Sequence, residues 1–227
     1  MIRQLFDKDT STYTYLIADP KTGEAALIDA VREQFDRDSK LIKDLGLTLK
    51  YAIETHVHAD HITSAGHLRE AFGAKVVLHE ASGSECADVL LKDGETVQVG
   101  DIAIKALHTP GHTNADTSYL VDGAVFTGDA LLIGGCGRTD FQAGNASQLY
   151  DSITEKLFTL PDDAVVYPGH DYRGLTASTI GEEKAHNARL GQGKSKDEFI
   201  EIMDNLNLPN PARIDVAVPG NMVCGNV

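Results

Sequence analysis

The seven residues from Thr55 to His61 restrict the fold of this chain more than any other segment. They are Thr-His-Val-His-Ala-Asp-His, so four side chains that can bind a metal lie within six residues, directly after an apolar strand predicted over Leu49–Ile53. Imidazole and carboxylate groups together suit Zn, Fe or Mn. In extended backbone His56 and His58 point the same way, and a turn into a following helix can redirect Asp60 and His61. A polar loop of surface histidines is the alternative, and this density of ligand groups disfavours it.

Three later segments share one arrangement, in which a short apolar strand leads through a glycine-containing turn to a residue that can bind a metal. The three residues are His112, Asp129 and His170. Open α/β sheets place their sites at the carboxyl ends of strands, and glycine lets the chain bend sharply there. Taken singly, these residues could be a turn histidine, a helix N-cap and a surface histidine. Together with the first segment they predict one shared metal site. The other histidines lack this context and are predicted to be core, surface or supporting residues: His67, His79, His108 and His186.

Apolar periodicity predicts two groups of strands with helices between and after them. This pattern favours two sheets packed face to face with helices outside, although other mixed α/β layouts remain open. The predicted strands are Tyr13–Ile17, Ala25–Ile28, Leu49–Ile53, Lys75–Leu78, Ile102–Leu107, Ser118–Val121, Ala124–Phe126 and Val165–Tyr167. The predicted helices are Glu33–Leu45, Ile62–Phe72, one carrying Leu149, Ile153 and Leu157, Ile180–Leu190, and Lys196–Asn205. A capping box is predicted at Ser195 and Glu198, and an irregular tail around Pro209, Pro211 and Pro219.

Composition narrows the class of protein. The chain has 34 acidic and 20 basic side chains and a formal net charge of −14, which disfavours nucleic acid as a partner. The first residues lack an apolar signal core, and no apolar run approaches the roughly 20 residues needed to span a bilayer. We therefore expect a cytoplasmic protein without membrane association. Its three cysteines, Cys86, Cys136 and Cys224, are odd in number and widely spaced, which argues against disulfides and fits a reducing compartment.

The ordered set His56-x-His58-x-Asp60-His61, His112, Asp129 and His170 resembles the ligand signature of the metallo-β-lactamase superfamily. This resemblance implies an α/β fold of four layers, the αββα sandwich, with the metal at one edge. It also implies one domain over residues 1–227 with a short helical or irregular extension at about 195–227.

Further segments resemble the persulfide dioxygenase (ethylmalonic encephalopathy protein) family within that superfamily. They are Gly134–Gly144 (Gly-Gly-Cys-Gly-Arg-Thr-Asp-Phe-Gln-Ala-Gly), Tyr167–Gly174, Ile202–Pro211 and Ala217–Gly225. Glyoxalase II thioester hydrolases share the metal motif and the Gly-Cys-Gly segment. They usually carry a longer C-terminal helical region, whereas only the 57 residues 171–227 follow His170 here.

The resemblance implies a mononuclear Fe(II) held by His56, His112 and Asp129, with His58, Asp60, His61 and His170 in supporting positions. The chain retains every residue of a two-metal site, so the sequence leaves one or two metals open. The implied reaction converts glutathione persulfide, O2 and water into glutathione and sulfite, with a glyoxalase II-like thioester hydrolase as the alternative. The family also suggests a homodimer. The candidate substrate-binding or catalytic residues are Arg138, Tyr172, Arg189 and Cys224, with Arg173 a further cationic candidate.

Overall fold

The computed structural model describes residues 1–209, 211 and 213–227. Within these residues the strands form two six-stranded sheets, ordered β1-β2-β3-β4-β5-β6 and β12-β11-β10-β9-β8-β7. The strands of the first sheet are β1 (Ile2–Asp7), β2 (Thr12–Ala18), β3 (Glu24–Ile28), β4 (Thr48–Ile53), β5 (Lys75–His79) and β6 (Val89–Leu91). Those of the second are β7 (Thr96–Val99), β8 (Ile102–His108), β9 (Thr117–Val121), β10 (Ala124–Gly128), β11 (Val165–Pro168) and β12 (Ser178–Thr179).

Both sheets are mixed. In the first, β1, β2 and β3 pair antiparallel, and β3 to β6 then run parallel. In the second, β7 to β10 pair antiparallel, β10 and β11 run parallel, and β12 closes the edge antiparallel to β11. Because parallel strands end at the same edge of a sheet, the segments that follow them meet there.

The central core lies between the two sheets. Tyr15 from β2 packs edge-on against Phe126 from β10, with ring centroids 4.9 Å apart, and Tyr119 from β9 is fully buried in the same layer. Leu16 on β2 has the opposite orientation and packs in the outer layer. Every residue of β2 is buried, as expected for a strand covered on both faces.

Helices cover the outer faces of both sheets. The first is covered by α1 (Phe35–Asp44), α2 (Ala65–Phe72) and α6 (Ile214–Met222), and the second by α3 (Ala146–Glu155), α4 (Ile180–His186) and α5 (Lys196–Asp204). This arrangement confirms the predicted αββα sandwich. The predicted capping box is also confirmed. The Ser195 side chain accepts from the Glu198 backbone N–H, and the Glu198 side chain accepts from the Ser195 backbone N–H. No helix in the described part of the chain is long and apolar enough to cross a membrane.

Several predicted boundaries differ from the observed ones. The helix predicted over Ile62–Phe72 begins only at Ala65, because Ser64 donates its backbone N–H to the Ala30 carbonyl instead of entering the helix. The predicted helix Ile180–Leu190 ends at His186. The irregular tail is wrong over Ile214–Met222, which form α6 with Pro219 inside it. Asn210 and Ala212, which belong to the predicted tail, lie outside the described residues.

Candidate metal centre

Three residues that follow strands of different sheets meet at one edge of the sandwich. His56 comes after β4, His112 after β8 and Asp129 directly after β10. One ligand atom from each lies within 4.8 Å of the other two. The strand-then-ligand pattern in the sequence thus brings these side chains together in space.

The Thr55 side chain orients the ring of His56. The Thr55 hydroxyl donates to Asp29 Oδ2 at 2.8 Å, so its oxygen accepts from His56 Nδ1–H at 3.0 Å. The hydrogen then lies on Nδ1, and Nε2 of His56 is free to bind a metal. Asp29 also accepts from the Thr55 backbone N–H at 2.7 Å.

The ring of His112 is oriented by backbone. Its Nδ1–H donates to the Arg138 carbonyl at 2.7 Å. Nε2 is therefore the unprotonated nitrogen, and it lies 3.6 Å from Asp129 Oδ2. Both histidines therefore present Nε2 lone pairs toward the same place as the Asp129 carboxylate.

Charge at the site suits a cation. Burial lowers the pKa of His56 well below its ordinary value, and neighbouring His58 and His112 lower it further, so the ring is neutral. Burial alone would raise the pKa of Asp129, but His170 and His112 hold that pKa well below its ordinary value. A neutral imidazole beside an ionised carboxylate is the form that binds a metal.

A second group of metal-competent side chains lies next to the first. His58, Asp60 and His61 also place one ligand atom each within 4.8 Å of one another. Among the described residues, His58 Nδ1 and His61 Nε2 are buried without a hydrogen-bond partner. These two nitrogens are the atoms with which this second group could bind a cation.

His170 links the two groups through carboxylates. Its Nδ1 lies 2.7 Å from Asp129 Oδ1 and its Nε2 lies 2.9 Å from Asp60 Oδ2. Burial alone would lower the pKa of His170, but the two carboxylates raise it well above the ordinary value. With this raised pKa, His170 donates from both nitrogens to the two carboxylates.

Sequence reasoning missed several residues that hold this centre. Asp29 and Glu54 flank His58 Nε2 at 3.1 and 3.2 Å. Asp116 accepts from the backbone N–H and the hydroxyl of Thr113, next to His112. Asp29 adopts φ +52°, unusual for a non-glycine residue. Sequence offers no signal that links these residues to the site, because each lies in an ordinary loop or strand end.

The donor set of two imidazoles and one carboxylate fits a divalent transition metal of the kind that prefers nitrogen and oxygen ligands. Residues 7–170 match the metallo-beta-lactamase superfamily. The chain belongs to this superfamily. The three candidate ligand residues come together at one edge of the sandwich, where they could hold a metal.

Comparison of whole chains places the protein more narrowly within the superfamily. The mouse and human proteins named persulfide dioxygenase ETHE1, mitochondrial, are each 50% identical to this chain, over 99% of it and 89% of their own length. The crystal structure of ETHE1 from Myxococcus xanthus superposes with a TM-score of 0.97 at 58% identity and covers 99% of both chains. The chain is therefore a member of the persulfide dioxygenase family within the metallo-beta-lactamase superfamily, which confirms the resemblance.

The predicted cationic residues all lie around the glycine-rich loop that follows Asp129. Arg138 donates from Nε and Nη2 to the two oxygens of Asp140 at 2.6 and 2.7 Å, and from Nη1 to the Pro209 carbonyl. Arg189 donates to the Cys136 carbonyl, and Arg173 donates to the Ile133 carbonyl. These guanidinium groups thus hold the glycine-rich loop in place.

Tyr172 occupies a different position from the arginines. Its side chain is 74% exposed, and its ring stacks against that of His170 with centroids 6.1 Å apart. The hydroxyl is therefore open to an incoming molecule at the rim of the metal centre.

The cysteine prediction is wrong for two of the three residues. Cys86 and Cys224 form a disulfide across 138 residues of sequence, and only Cys136 is a free, buried thiol. The odd count and wide spacing misled the sequence argument, because the fold brings the C-terminus back to the loop after β5. Cys224 is 1% exposed and its sulfur is bonded to Cys86, so we do not include it among the substrate-binding groups.

His79 lies outside the metal centre, and its environment leads us to expect that acid lowers the stability of the fold. Its ring stacks on that of His108 at 3.9 Å, and burial followed by the nearby His108 lowers its pKa from 6.5 to about 4. Between these values the unfolded chain binds a proton that the folded chain does not, so stability falls as pH drops from about 6.5 to about 4. We expect this single group to account for about 2–3 kcal/mol of that loss.

A urea titration at several pH values measures this contribution. In the wild type, His79 Nδ1 accepts a hydrogen bond from the Ala81 backbone N–H at 3.1 Å. The variant His79→Asn retains an acceptor for this bond, but its side chain does not titrate. The variant should lose less stability than the wild type over this range, whereas His186→Asn, at an exposed helix end, should follow the wild type. Equal pH slopes for the wild type and His79→Asn would contradict the assignment.

Proposed function

We propose that this chain is a mononuclear non-haem iron(II) dioxygenase that oxidises glutathione persulfide with O2 and water to glutathione and sulfite. The observation that carries the proposal is the 50% identity to mammalian persulfide dioxygenases along 99% of the chain. The convergence of His56, His112 and Asp129 supports it independently, since it supplies a metal centre of the required type. We take residues 1–227 as one catalytic domain, with residues 195–227 as its extension.

His56, His112 and Asp129 would hold the iron. Two histidines and one carboxylate are the facial set of non-haem iron(II) oxygenases, which leaves positions open for substrate and O2 on one metal. Bound iron would supply the redox chemistry that joins O2 to the outer sulfur of the persulfide. The chain supplies fixed ligand geometry, since Thr55 and the Arg138 carbonyl orient the two rings.

The contacts of His170 favour one metal per chain. A second cation bound by His58, Asp60 and His61 would compete with the 2.9 Å contact between His170 and Asp60. We therefore propose that these four residues support the iron centre and keep water and protons ordered beside it.

Cationic side chains are needed for the substrate, because glutathione carries two carboxylates and this chain has a net charge of −14. We propose Arg138 as the main anchor. Its partner Asp140 is 56% exposed at the side chain, so a substrate carboxylate can replace it in the same two-bond geometry. Arg189 positions the loop, and the exposed Tyr172 hydroxyl is available to the persulfide sulfur.

Replacing Arg138 with alanine should raise the KM for glutathione persulfide about tenfold with little change in kcat, as expected when one charge-assisted contact to the bound substrate is lost. Steady-state oxygen consumption measures both constants. The matched control is Arg3→Ala, an exposed arginine on β1. An unchanged KM with a lower melting temperature would instead identify the Arg138–Asp140 pair as purely structural.

One substrate comparison distinguishes this function from the glyoxalase II-like alternative. The iron-loaded protein is offered glutathione persulfide in an oxygen electrode and, separately, a hydroxyacyl-glutathione thioester in an absorbance assay. We expect persulfide-dependent oxygen uptake with release of sulfite, and no thioester cleavage above that of the metal-free protein. Thioester cleavage without oxygen uptake would overturn the proposal in favour of a hydrolase.

A further inference from the structure

The last residues of the chain are packed against the segment 58–63, which follows the candidate ligand His56 and carries the supporting residues His58, Asp60 and His61. Asn221, near the end of α6, is buried. Its amide nitrogen donates to the His58 carbonyl at 2.9 Å and the His61 carbonyl at 2.8 Å, and its oxygen accepts from the Thr63 N–H at 2.8 Å. One side chain therefore fixes three backbone groups of the segment 58–63.

Backbone contacts extend this connection beyond Asn221. The N–H of Gly66, at the start of α2, donates to the Cys224 carbonyl at 2.8 Å. A Cβ at Gly66 would lie 2.7 Å from that carbonyl oxygen, so the approach depends on glycine. His56, Asn221 and Cys224 line one small cavity. The residues 220–227, which we name the C-terminal brace, thus lie directly beside a candidate metal ligand.

The disulfide fastens this brace to the body of the protein. Cys224 is bonded to Cys86 in the loop between β5 and β6, and Arg69 on α2 holds that loop by donating to the Cys86 carbonyl at 2.8 Å. Cys224 is buried, whereas Cys86 is partly exposed. Cys86 is therefore the less buried end of the disulfide, and the end at which we expect a dissolved thiol to attack.

We propose that the Cys86–Cys224 disulfide is a thiol-reducible latch that keeps the C-terminal brace, through Asn221, on the segment 58–63 beside the candidate ligand His56. A low-molecular-weight thiolate attacks Cys86 Sγ and forms a mixed disulfide, and Cys224 leaves as a thiolate that takes up a proton. A second thiol then releases Cys86 as a thiol. Overall, two thiols are oxidised to one small-molecule disulfide, and the protein disulfide gains two electrons and two protons.

Opening the latch should loosen the metal site without removing any ligand. The brace retains its hydrogen bonds after reduction but loses its covalent connection, so the segment 58–63 becomes less restrained. Outer groups that position metal ligands typically change metal affinity by about 10- to 100-fold. Glutathione is the natural reductant that we expect. This one choice rests on the proposed function, because the proposed reaction would release glutathione beside the protein.

The test measures Mn(II) affinity and amide exchange on the full chain, so its result does not depend on turnover. Mn(II) is chosen because it prefers nitrogen and oxygen ligands to thiolates, and the free ion can be followed by electron paramagnetic resonance. The denatured protein is titrated with a thiol reagent before and after treatment with dithiothreitol or glutathione. Because two of the three cysteines are paired, one thiol should react before the treatment and three after it. We expect reduction, or Cys86→Ser, to weaken Mn(II) binding about tenfold and to accelerate exchange of the Thr63 amide.

Two variants separate the latch from general destabilisation. Asn221→Asp retains an acceptor for Thr63 but no longer donates to the His58 and His61 carbonyls, so it should weaken Mn(II) binding even with the disulfide intact. Asn205→Asp, at the exposed C-terminal end of α5, should leave it unchanged. Two outcomes would overturn the proposal: three reactive thiols in the air-oxidised protein, or equal Mn(II) affinity before and after complete reduction.

Discussion

Replacing Asp129 with alanine should leave a folded protein that retains no metal and shows no persulfide-dependent oxygen uptake. The carboxylate is the only anionic member of the set formed with His56 and His112, and its loss leaves two neutral donors. Because even an outer partner of a ligand contributes about 10- to 100-fold to metal affinity, loss of a ligand should exceed that range. Metal content after dialysis and oxygen uptake measure the two effects.

Two controls define what the Asp129 result means. Asp163→Ala removes an exposed carboxylate before β11 and should retain both metal and turnover. The removed Asp129 side chain also accepts from His170 Nδ1, so circular dichroism should show that the variant is folded. A folded Asp129→Ala protein with full metal content and normal turnover would refute the ligand assignment.

Replacing Gly111 with alanine should strongly destabilise the fold, because a methyl group there would collide with the backbone of α3. Gly111 has φ +143°, and a Cβ there would lie 2.4 Å from the backbone nitrogen and Cα of Leu149 on α3. Neither the loop nor α3 can move easily, because the Asn145 N–H at the start of α3 also donates to the Gly111 carbonyl at 2.8 Å. We expect a loss of about 3 kcal/mol or more in the free energy of unfolding.

Gly94→Ala is the matched control for this substitution. Gly94 also has a positive φ, +81°, but a Cβ there would meet nothing within 4 Å. It should therefore lose only about 1–2 kcal/mol from the backbone conformation. Denaturant unfolding of the metal-free proteins measures the difference. If both variants lost the same free energy, the close packing of α3 on the loop before His112 would contribute nothing to stability.

Much of the fold could be predicted from the sequence, because the order of apolar and polar residues reflects which faces of each strand or helix are buried. Strands such as β3 and β10 are buried on both faces and are largely apolar in sequence. The capping box at Ser195 is a local sequence pattern that the structure also contains. The four strands at the edges of the sheets, β1, β6, β7 and β12, escaped prediction. Of these, β6 and β12 have only three and two residues, too few to show a period. The residues of α6 also escaped, since Pro219 normally ends a helix.

For the metal centre, the sequence predicted which residues supply the donor atoms but not how their side chains are oriented. His56, His112 and Asp129 each follow a strand and a turn, so local sequence marks them. Their orientation depends on contacts between distant residues: Asp29 reaches Thr55 across 26 residues, and Asn221 reaches His58 across 163. The Cys86–Cys224 pair is likewise a product of the closed fold. Spacing along a chain carries no information about such pairs until the sheets are assembled.

The most direct test of this account is metal content measured together with oxygen uptake. The protein is purified without oxygen, freed of metal, and titrated with Fe(II) while oxygen consumption with glutathione persulfide is recorded. We predict that activity rises linearly and stops at about one iron per chain, that sulfite appears in proportion to the oxygen consumed, and that Zn(II) at the same site gives no uptake. Saturation at two metals per chain without oxygen consumption would contradict the central claim that His56, His112 and Asp129 form the iron site of a persulfide dioxygenase.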